Sequence, residues 1–290
     1  MASTDAAGPA ISALQPADVE AAQALVVEAG WNQVAADWAL FTDLGQAYKV
    51  SAPDGAIVAS AATLPYAGGF GWISMVLVST AWRRRGLATQ LLQRCIAGLQ
   101  AQGRTPMLDA TPAGRAVYRQ LGFHDGWAIN RWRRSAAPEP PPALGGLAAV
   151  RPLRPGELAQ VTALDAQAFG AARPALIERL AARRTAWAAV CEGPDGLQGF
   201  LLGRNGRHAT QLGPLVARDE DVAVALLDHA LRSQREPLLV DLLAGHARVA
   251  QVLLERGFAI ERPYTRMALG PAAAPGDGQR TIAIAGPELG

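Results

Sequence analysis

The stretch VSTAWRRRGLA, residues 78 to 88, decides how this chain folds, because an apolar segment runs straight into three arginines and a glycine and then into a segment with helical apolar spacing. Upstream, Trp72 to Val78 is a continuous apolar run of strand length bounded by Gly71. Downstream, Leu87, Leu91, Leu92, Cys95, Ile96 and Leu99 recur at three- and four-residue intervals, which predicts an amphipathic helix over 87–101 closed by Gly103. The order is strand, basic loop, helix. A helix N-terminus presents about four backbone N–H groups without intrahelical partners and roughly half a positive charge, so anions dock there. Gly86 permits a tight turn or the close approach of a ligand, Ala88 keeps the first helical turn uncluttered, and Arg83, Arg84 and Arg85 add positive charge. A pyrophosphate is the natural guest. Taken alone, three arginines at a strand end also read as a solvated turn; the flanking elements favour the anion site. No lysine follows the glycine, so GxxxxGK[ST] is not satisfied, and GxGxxG is missing, which excludes the nucleotide P-loop and Rossmann readings.

The spacing that fits is Val78, four residues, then Arg83-x-x-Gly86-x-Ala88, which resembles the acetyl-CoA signature of the GNAT acyltransferase superfamily. A second motif agrees. After the strand-like PMLDA at 106–110, the segment Gly114 to Phe123, ending in VYRQLGF, resembles that family's short tyrosine-bearing helix closed by Gly-Phe. The resemblance covers roughly residues 10 to 135. It implies an α/β (α+β) fold, a mixed, mostly antiparallel sheet flanked by helices, with a V-shaped splay between the central strands that admits the pantetheine arm. It also implies acetyl-CoA as co-substrate, held by Arg83, Arg84, Arg85, Gly86, Leu87, Ala88 and Thr89. The acetyl carbonyl would meet a backbone N–H of Met75, Val76, Leu77 or Val78. Thr111 stands where the family often has asparagine, and Tyr118 where it keeps the acid that protonates the leaving thiolate. By spacing alone Tyr118 reads equally as a core aromatic; the motif around it favours the acid.

The halves of the chain repeat each other. Leu14-Gln-Pro16-Ala-Asp18-Val19 recurs as Leu153-Arg-Pro155-Gly-Glu157-Leu158, and RQLGF at 119–123 recurs as LERGF at 254–258. Between them SAAPEPPPALGG, 135–146, has the composition of a semi-rigid linker. These signals predict a catalytic domain over 1–135, a proline-rich linker over 136–148, a degenerate second copy over 149–270 and a tail over 271–290. Leu77-Val78 aligns with Leu215-Val216, and Leu91-Leu92 with Leu226-Leu227, so the second copy is three residues shorter between them. The gap falls on the anion loop, where Asp219, Glu220 and Asp221 replace the arginines. Two like charges at ~4 Å repel by about 4 kcal/mol at an effective dielectric of 20, so this loop should reject pyrophosphate; acidic residues in a first helical turn complement the dipole instead. Leu253 occupies the position of Tyr118.

Acyl transfer to an amine needs the amine neutral, and a lysine-like amine is only roughly one part in two thousand deprotonated at pH 7. Many GNAT relatives place a glutamate on the strand before the anion loop, but GWISMVLV at 71–78 has no carboxylate. Asp109 is the nearest candidate base. Its counterpart Asp241 in the second copy favours a structural role, such as capping the following turn, and a water chain is the alternative. Trp31, Trp38, Phe41 and Tyr66 fall where relatives build the acceptor wall, although Trp38 and Phe41 at i and i+3 fit a core. The four histidines, His124, His208, His229 and His246, lack ligand spacing, so no metal is expected.

The net charge of +2 is carried by 26 arginines and one lysine spread over the length, which argues against nucleic acid. Cys95 and Cys191 fall in different halves and give no disulfide framework, and no apolar stretch approaches ~18 residues. The expectation is a cytoplasmic monomer or homodimer, without nucleic-acid or membrane partners, that acetylates a small-molecule or peptide amine from acetyl-CoA in a ternary complex. A non-catalytic acyl-CoA-binding or regulatory protein is the alternative.

Overall fold

The computed structural model describes residues 10–137, 139–145, 148–183, 187–194, 196–270 and 275–290. The first half runs β1 (Ile11–Ala13), α1 (Val19–Glu28), α2 (Ala35–Leu44), β2 (Gln46–Ser51), β3 (Ile57–Tyr66), β4 (Phe70–Val78), α3 (Leu87–Gln100), β5 (Thr105–Ala110), α4 (Pro112–Gln120) and β6 (Phe123–Arg134). The second repeats that order as β7 (Val150–Pro152), α5 (Leu158–Phe169), α6 (Pro174–Ala181), β8 (Trp187–Gly193), β9 (Gly196–Arg204), β10 (Thr210–Ala217), α7 (Glu220–Ser233), β11 (Leu238–Leu243), α8 (Ala247–Glu255) and β12 (Ala259–Leu269), then adds β13 (Thr281–Ala283). The repeat read from the paired sequence motifs is therefore a repeat of elements.

Sequence periodicity accounts for the main packing. α3 buries Leu87, Leu91, Leu92, Cys95 and Leu99 on one face, as its spacing predicts, against Ala59, Ile73, Leu108 and Phe123. β3 and β11 are buried along nearly their whole length: α1, α2 and α3 pack on β3, while Leu243 of β11 packs with Ile129, Tyr264 and Ile284, so continuous apolar runs replace alternation. Trp38 and Phe41 are core, packed edge to face with centroids 6.4 Å apart. The free cysteines Cys95 and Cys191 are both buried.

The two mixed, mostly antiparallel sheets join into one, in the order β1-β2-β3-β4-β5-β12-β6-β11-β13-β10-β9-β8-β7. Among the described residues only β4–β5 and β10–β11 pair in parallel. The last strand of each half lies in the other half's sheet: β12 pairs with β5, β6 pairs with β11, and β6 and β12 pair with each other at the centre. The sheet thus does not divide at the sequence boundaries 1–135 and 149–270. Repeat motifs identify two copies, but they carry no information on whose edge a terminal strand completes.

A reciprocal pair of buried ion pairs marks this exchange. Arg131 of β6 sits directly across from Asp241 of β11 and grips it with two hydrogen bonds of 2.7 and 2.8 Å. Arg266 of β12 sits directly across from Asp109 of β5 and does the same at 3.0 and 3.1 Å. A one-residue slip would turn either arginine to the opposite face and leave a buried carboxylate without its cation, so the pairs specify register. Asp109 is therefore not the cap of the next turn. Thr111 does that, accepting from the Gly114 N–H at 3.2 Å.

The stretch 281–290 is core rather than an appended tail. β13 lies between β10 and β11, and almost everything after it is buried. Trp72 Nε1 donates to the Pro287 carbonyl at 2.9 Å, and Tyr66 donates its hydroxyl to the Leu289 carbonyl at 2.7 Å. Arg173, paired with Asp165, donates to the carbonyls of Leu289 and Gly290. Arg204 joins the halves by reaching Asp37 of α2, the Ala285 carbonyl and Glu288. Much of the arginine content therefore works as internal donors to carboxylates and carbonyls. Among the described residues no helix is long and apolar enough to cross a membrane.

Candidate active site

β4 and β5 pair only over Phe70–Trp72 with Thr105–Met107 and then part, although β4 continues to Val78 and β5 to Ala110. The splay expected between the central strands is present. From Ile73 onward the β5-facing edge of β4 has no strand partner among the described residues, which leaves backbone donors and acceptors for something else to satisfy. A bulge interrupts the β3–β4 register here: Ser60 faces Leu77 and Ala62 faces Ser74, so Met75 and Val76 together stand opposite Ala61, one residue more than β3 supplies. Met75 has φ +53°, rare for a side-chain-bearing residue, and Ser60 Oγ donates to its carbonyl at 2.9 Å. Strained backbone of this kind, held by its surroundings, clusters at functional sites.

Two cavities meet at the splay. The larger, of about 680 Å³, is lined by Val76, Leu77, Val78, Arg83, Arg84, Gly86, Leu87, Ala88, Thr89 and, from α4, Gly114, Val117 and Tyr118. Gly86 is the N-cap of α3 at φ +77°, a conformation that disfavours any other residue, and no side chain caps the helix. The first N–H groups of α3 are thus open to the cleft, and these residues fit a pyrophosphate. Arg85 departs from expectation, because its guanidinium lies 4.5 Å from the Trp82 ring centroid and donates to the Ala81 carbonyl, leaving Arg83 and Arg84 on the cleft.

The smaller cavity, of about 150 Å³, lies behind the splay between Ser74, Met75 and Val76 of β4 and Leu108 and Asp109 of β5. Its far wall is Gln33, Arg131, Arg262, Tyr264, Pro287 and Glu288. Trp31, Val76 and Tyr118 line both cavities and form the junction. Thr111 faces the smaller cavity, not the larger cleft. Burial raises the Tyr118 phenol above its ordinary pKa, and its hydroxyl has no hydrogen-bond partner among the described residues, so it can turn to a ligand. Burial likewise pushes the Asp109 carboxyl up, against the opposing pull of the Arg266 guanidinium. The Glu288 carboxyl is raised by the same desolvation, again opposed by an arginine, here Arg204.

Glu288, Arg262, Tyr264 and Gln33 are the residues that sequence reading missed. Glu288 had one signal available, as the only charged residue in TIAIAGPELG. A lone carboxylate in an apolar run must find a partner or a function when buried.

The second half lacks these features. Asp219 is the N-cap of α7, accepting from the Val222 N–H at 2.9 Å, and Glu220 accepts from the Val249 N–H at 2.9 Å. Asp221 pairs with Arg248. Leu253 is buried in α8. His246 Nε2 is 3.1 Å from the carbonyl oxygens of Gly278 and Thr281, where its N–H tautomer anchors the segment leading into β13.

A splayed mixed sheet with an uncapped, arginine-flanked helix N-terminus at its mouth defines an acyltransferase architecture, and comparison with known proteins agrees. Residues 22–123 match a family model described as the acetyltransferase (GNAT) family, and residues 161–283 match one described as an acetyltransferase (GNAT) domain. The chain belongs to the GNAT acetyltransferase family and carries two such domains in tandem. It is 26% identical over 188 residues to the uncharacterized N-acetyltransferase YitH of Bacillus subtilis, a match over 64% of this chain and 65% of that protein, just under two thirds of its length. Among solved structures it resembles a candidate acetyltransferase from Pyrococcus horikoshii, with a TM-score of 0.81, 21% identity and coverage of 98% of this chain and 96% of the other. A tandem GNAT protein from the clavulanic acid biosynthesis pathway superposes with a TM-score of 0.65 at 16% identity, over 91% of this chain and 99% of the other. At these identities the structures attest the fold alone.

Proposed function

We propose that this chain is an acetyl-CoA-dependent N-acetyltransferase whose first half transfers the acetyl group directly to a primary amine in a ternary complex. The observation that carries this reading is the junction at Trp31, Val76 and Tyr118, where a cleft suited to pyrophosphate and pantetheine opens into a small polar cavity. Open N–H groups of α3, with Arg83 and Arg84, hold the diphosphate. The unpaired edge of β4 takes the pantetheine arm, and a backbone N–H near the Met75 bulge stabilises charge growing on the acetyl oxygen.

The amine nitrogen bonds to the acetyl carbon as the carbon–sulfur bond breaks. Glu288 or a water beside it takes the amine proton, and Tyr118 returns a proton to the departing thiolate. Glu288 supplies the carboxylate missing from β4, which weakens the non-catalytic alternative. Direct transfer is favoured because no cysteine lines either cavity among the described residues, and burial pushes the Cys95 thiol up to about 12, where it is a poor nucleophile.

The test is calorimetric titration of acetyl-CoA into the wild type and into Gly86→Glu, followed by a thiol-release screen of amines. One site in the wild type, lost in the variant, with amine-dependent thiol release, is the expected result; no binding to the wild type sinks the reading. The pH profile examines the base. A raised carboxyl pKa means that Glu288 is protonated, and unable to accept a proton, up to a pH above the ordinary carboxylate range, so kcat/KM should rise with pH through that shifted value. Glu288→Gln should lower the rate and abolish that acidic limb; a limb that survives unchanged assigns the proton to water alone.

A further inference from the structure

The cavity behind the splay holds more polar chemistry than a bare amine requires. Three buried atoms on its lining have no hydrogen-bond partner among the described residues: Gln33 Oε1, Ser74 Oγ and Arg262 Nε. Buried polar atoms in native structures are nearly always satisfied by protein, water or ligand. Three such atoms on the lining of one cavity give a ligand or water seated there polar groups to satisfy. Their types differ, two oxygens and one cationic donor, so the ligand must present both donors and an acceptor.

The neighbouring cations are already committed. Arg131 is held by Asp241, Arg266 by Asp109, and Arg204 by Asp37 and Glu288. Arg262 has no ion pair among the described residues. Its guanidinium stands 5.4 Å from the Tyr264 ring centroid, with Arg131 at 5.3 Å from the same ring. Arg262 lines the cavity, and among the described residues its guanidinium makes no hydrogen bond; such a fork matches carboxylate or phosphate oxygens. Ser74, Gln33 and the Glu288 carboxylate offer oxygens to an amine. The volume of about 150 Å³ equals that of a cavity able to hold benzene, about six heavy atoms, which suits a small molecule.

We infer that the acceptor is a small amine that also carries an anionic group, with the anion on the Arg262 guanidinium and the amine directed to Ser74, Gln33 and Glu288. This rests on the acetyltransferase function proposed above. Arg262, Tyr264 and Glu288 all come from the second half of the sequence, so the copy without a cofactor loop selects the acceptor for the copy that has one.

Thiol release from acetyl-CoA, measured with matched acceptors, tests it. Glycine and alanine are compared with glycinamide and alaninamide, and phosphoethanolamine with ethanolamine, on the wild type and on Arg262→Gln. The anionic member of at least one set should exceed its neutral counterpart by about tenfold or more in kcat/KM, chiefly through KM; which set does so separates carboxylate from phosphate. Arg262→Gln should erase that ratio while still binding acetyl-CoA in the calorimeter, and Arg262→Lys should restore part of it. Equal use of neutral and anionic amines by the wild type, a measurement independent of how the variant folds, overturns the inference and leaves the acetyltransferase standing. A ratio that persists in a folded Arg262→Gln protein also overturns it. Transfer to no amine at all removes the function and the inference together.

Discussion

The two halves share one order of elements but treat the gap between their central strands oppositely. In the first, β4 and β5 part after three residue pairs and the gap is a cavity lined by Met75, Asp109 and Tyr118. In the second, β10 and β11 part in the same way after Thr210–Leu212, and β13 fills the gap, pairing with both. The difference teaches that the splay belongs to the fold and its use to whatever enters it. A strand from the chain itself satisfies the open edges of β10 and β11 permanently, whereas the edges of β4 and β5 stay available to a ligand.

The comparison can be broken first at the exchanged strands. Arg131→Met leaves Asp241 buried without its cation, with only Gln211 still donating to it, and Arg266→Met removes the cation from Asp109; each should cost about 3–5 kcal/mol in denaturant unfolding. Arg131→Met combined with Asp241→Leu should recover most of the loss, because a well-packed apolar pair often matches a buried ion pair. A large loss from only one arginine would show that the exchange is not energetically reciprocal.

A smaller effect sharpens the catalytic contrast. Tyr118→Phe should lower kcat by about 10²-fold, the lower end of what a general acid contributes, with acetyl-CoA affinity unchanged, while Leu253→Tyr should create no activity. An unaltered kcat in Tyr118→Phe would return Tyr118 to the core. The smallest effect lies in the acidic first turn of α7. Asp219→Ala removes an N-cap and should cost about 0.5–2 kcal/mol in stability, without adding a second acetyl-CoA site by calorimetry. A second site would mean that the carboxylates, rather than β13, close the second half to cofactor.

Part of this protein is legible in linear order because its information is local. The α3 stripe, the Gly86 N-cap with its positive φ and the short tyrosine helix each depend on residues within about one or two turns of each other. The core role of Trp38 and Phe41 follows from their helical spacing. Asp109 reads locally as a turn cap because the residue that meets it, Arg266, is 157 positions away. Glu288 stands out in the sequence only as the lone charge in TIAIAGPELG, and its role is hidden for the same reason: the groups around it, Arg204 and Asp37, come from distant parts of both halves.

By itself the sequence determined the family, the repeat, the basic loop before α3 and its replacement by carboxylates in the second copy, since each is written in the spacing of neighbouring residues. Only the tertiary structure decided that the last strands are exchanged, that 281–290 fills one splay and delivers Glu288 to the other, and that Arg262 is left without an ion pair among the described residues. Strand edges are chemically alike, so backbone hydrogen bonding does not choose which edge a strand completes. That choice is made by burial, by cross-strand charge pairs and by volume, all of which exist only once the whole chain has closed on itself.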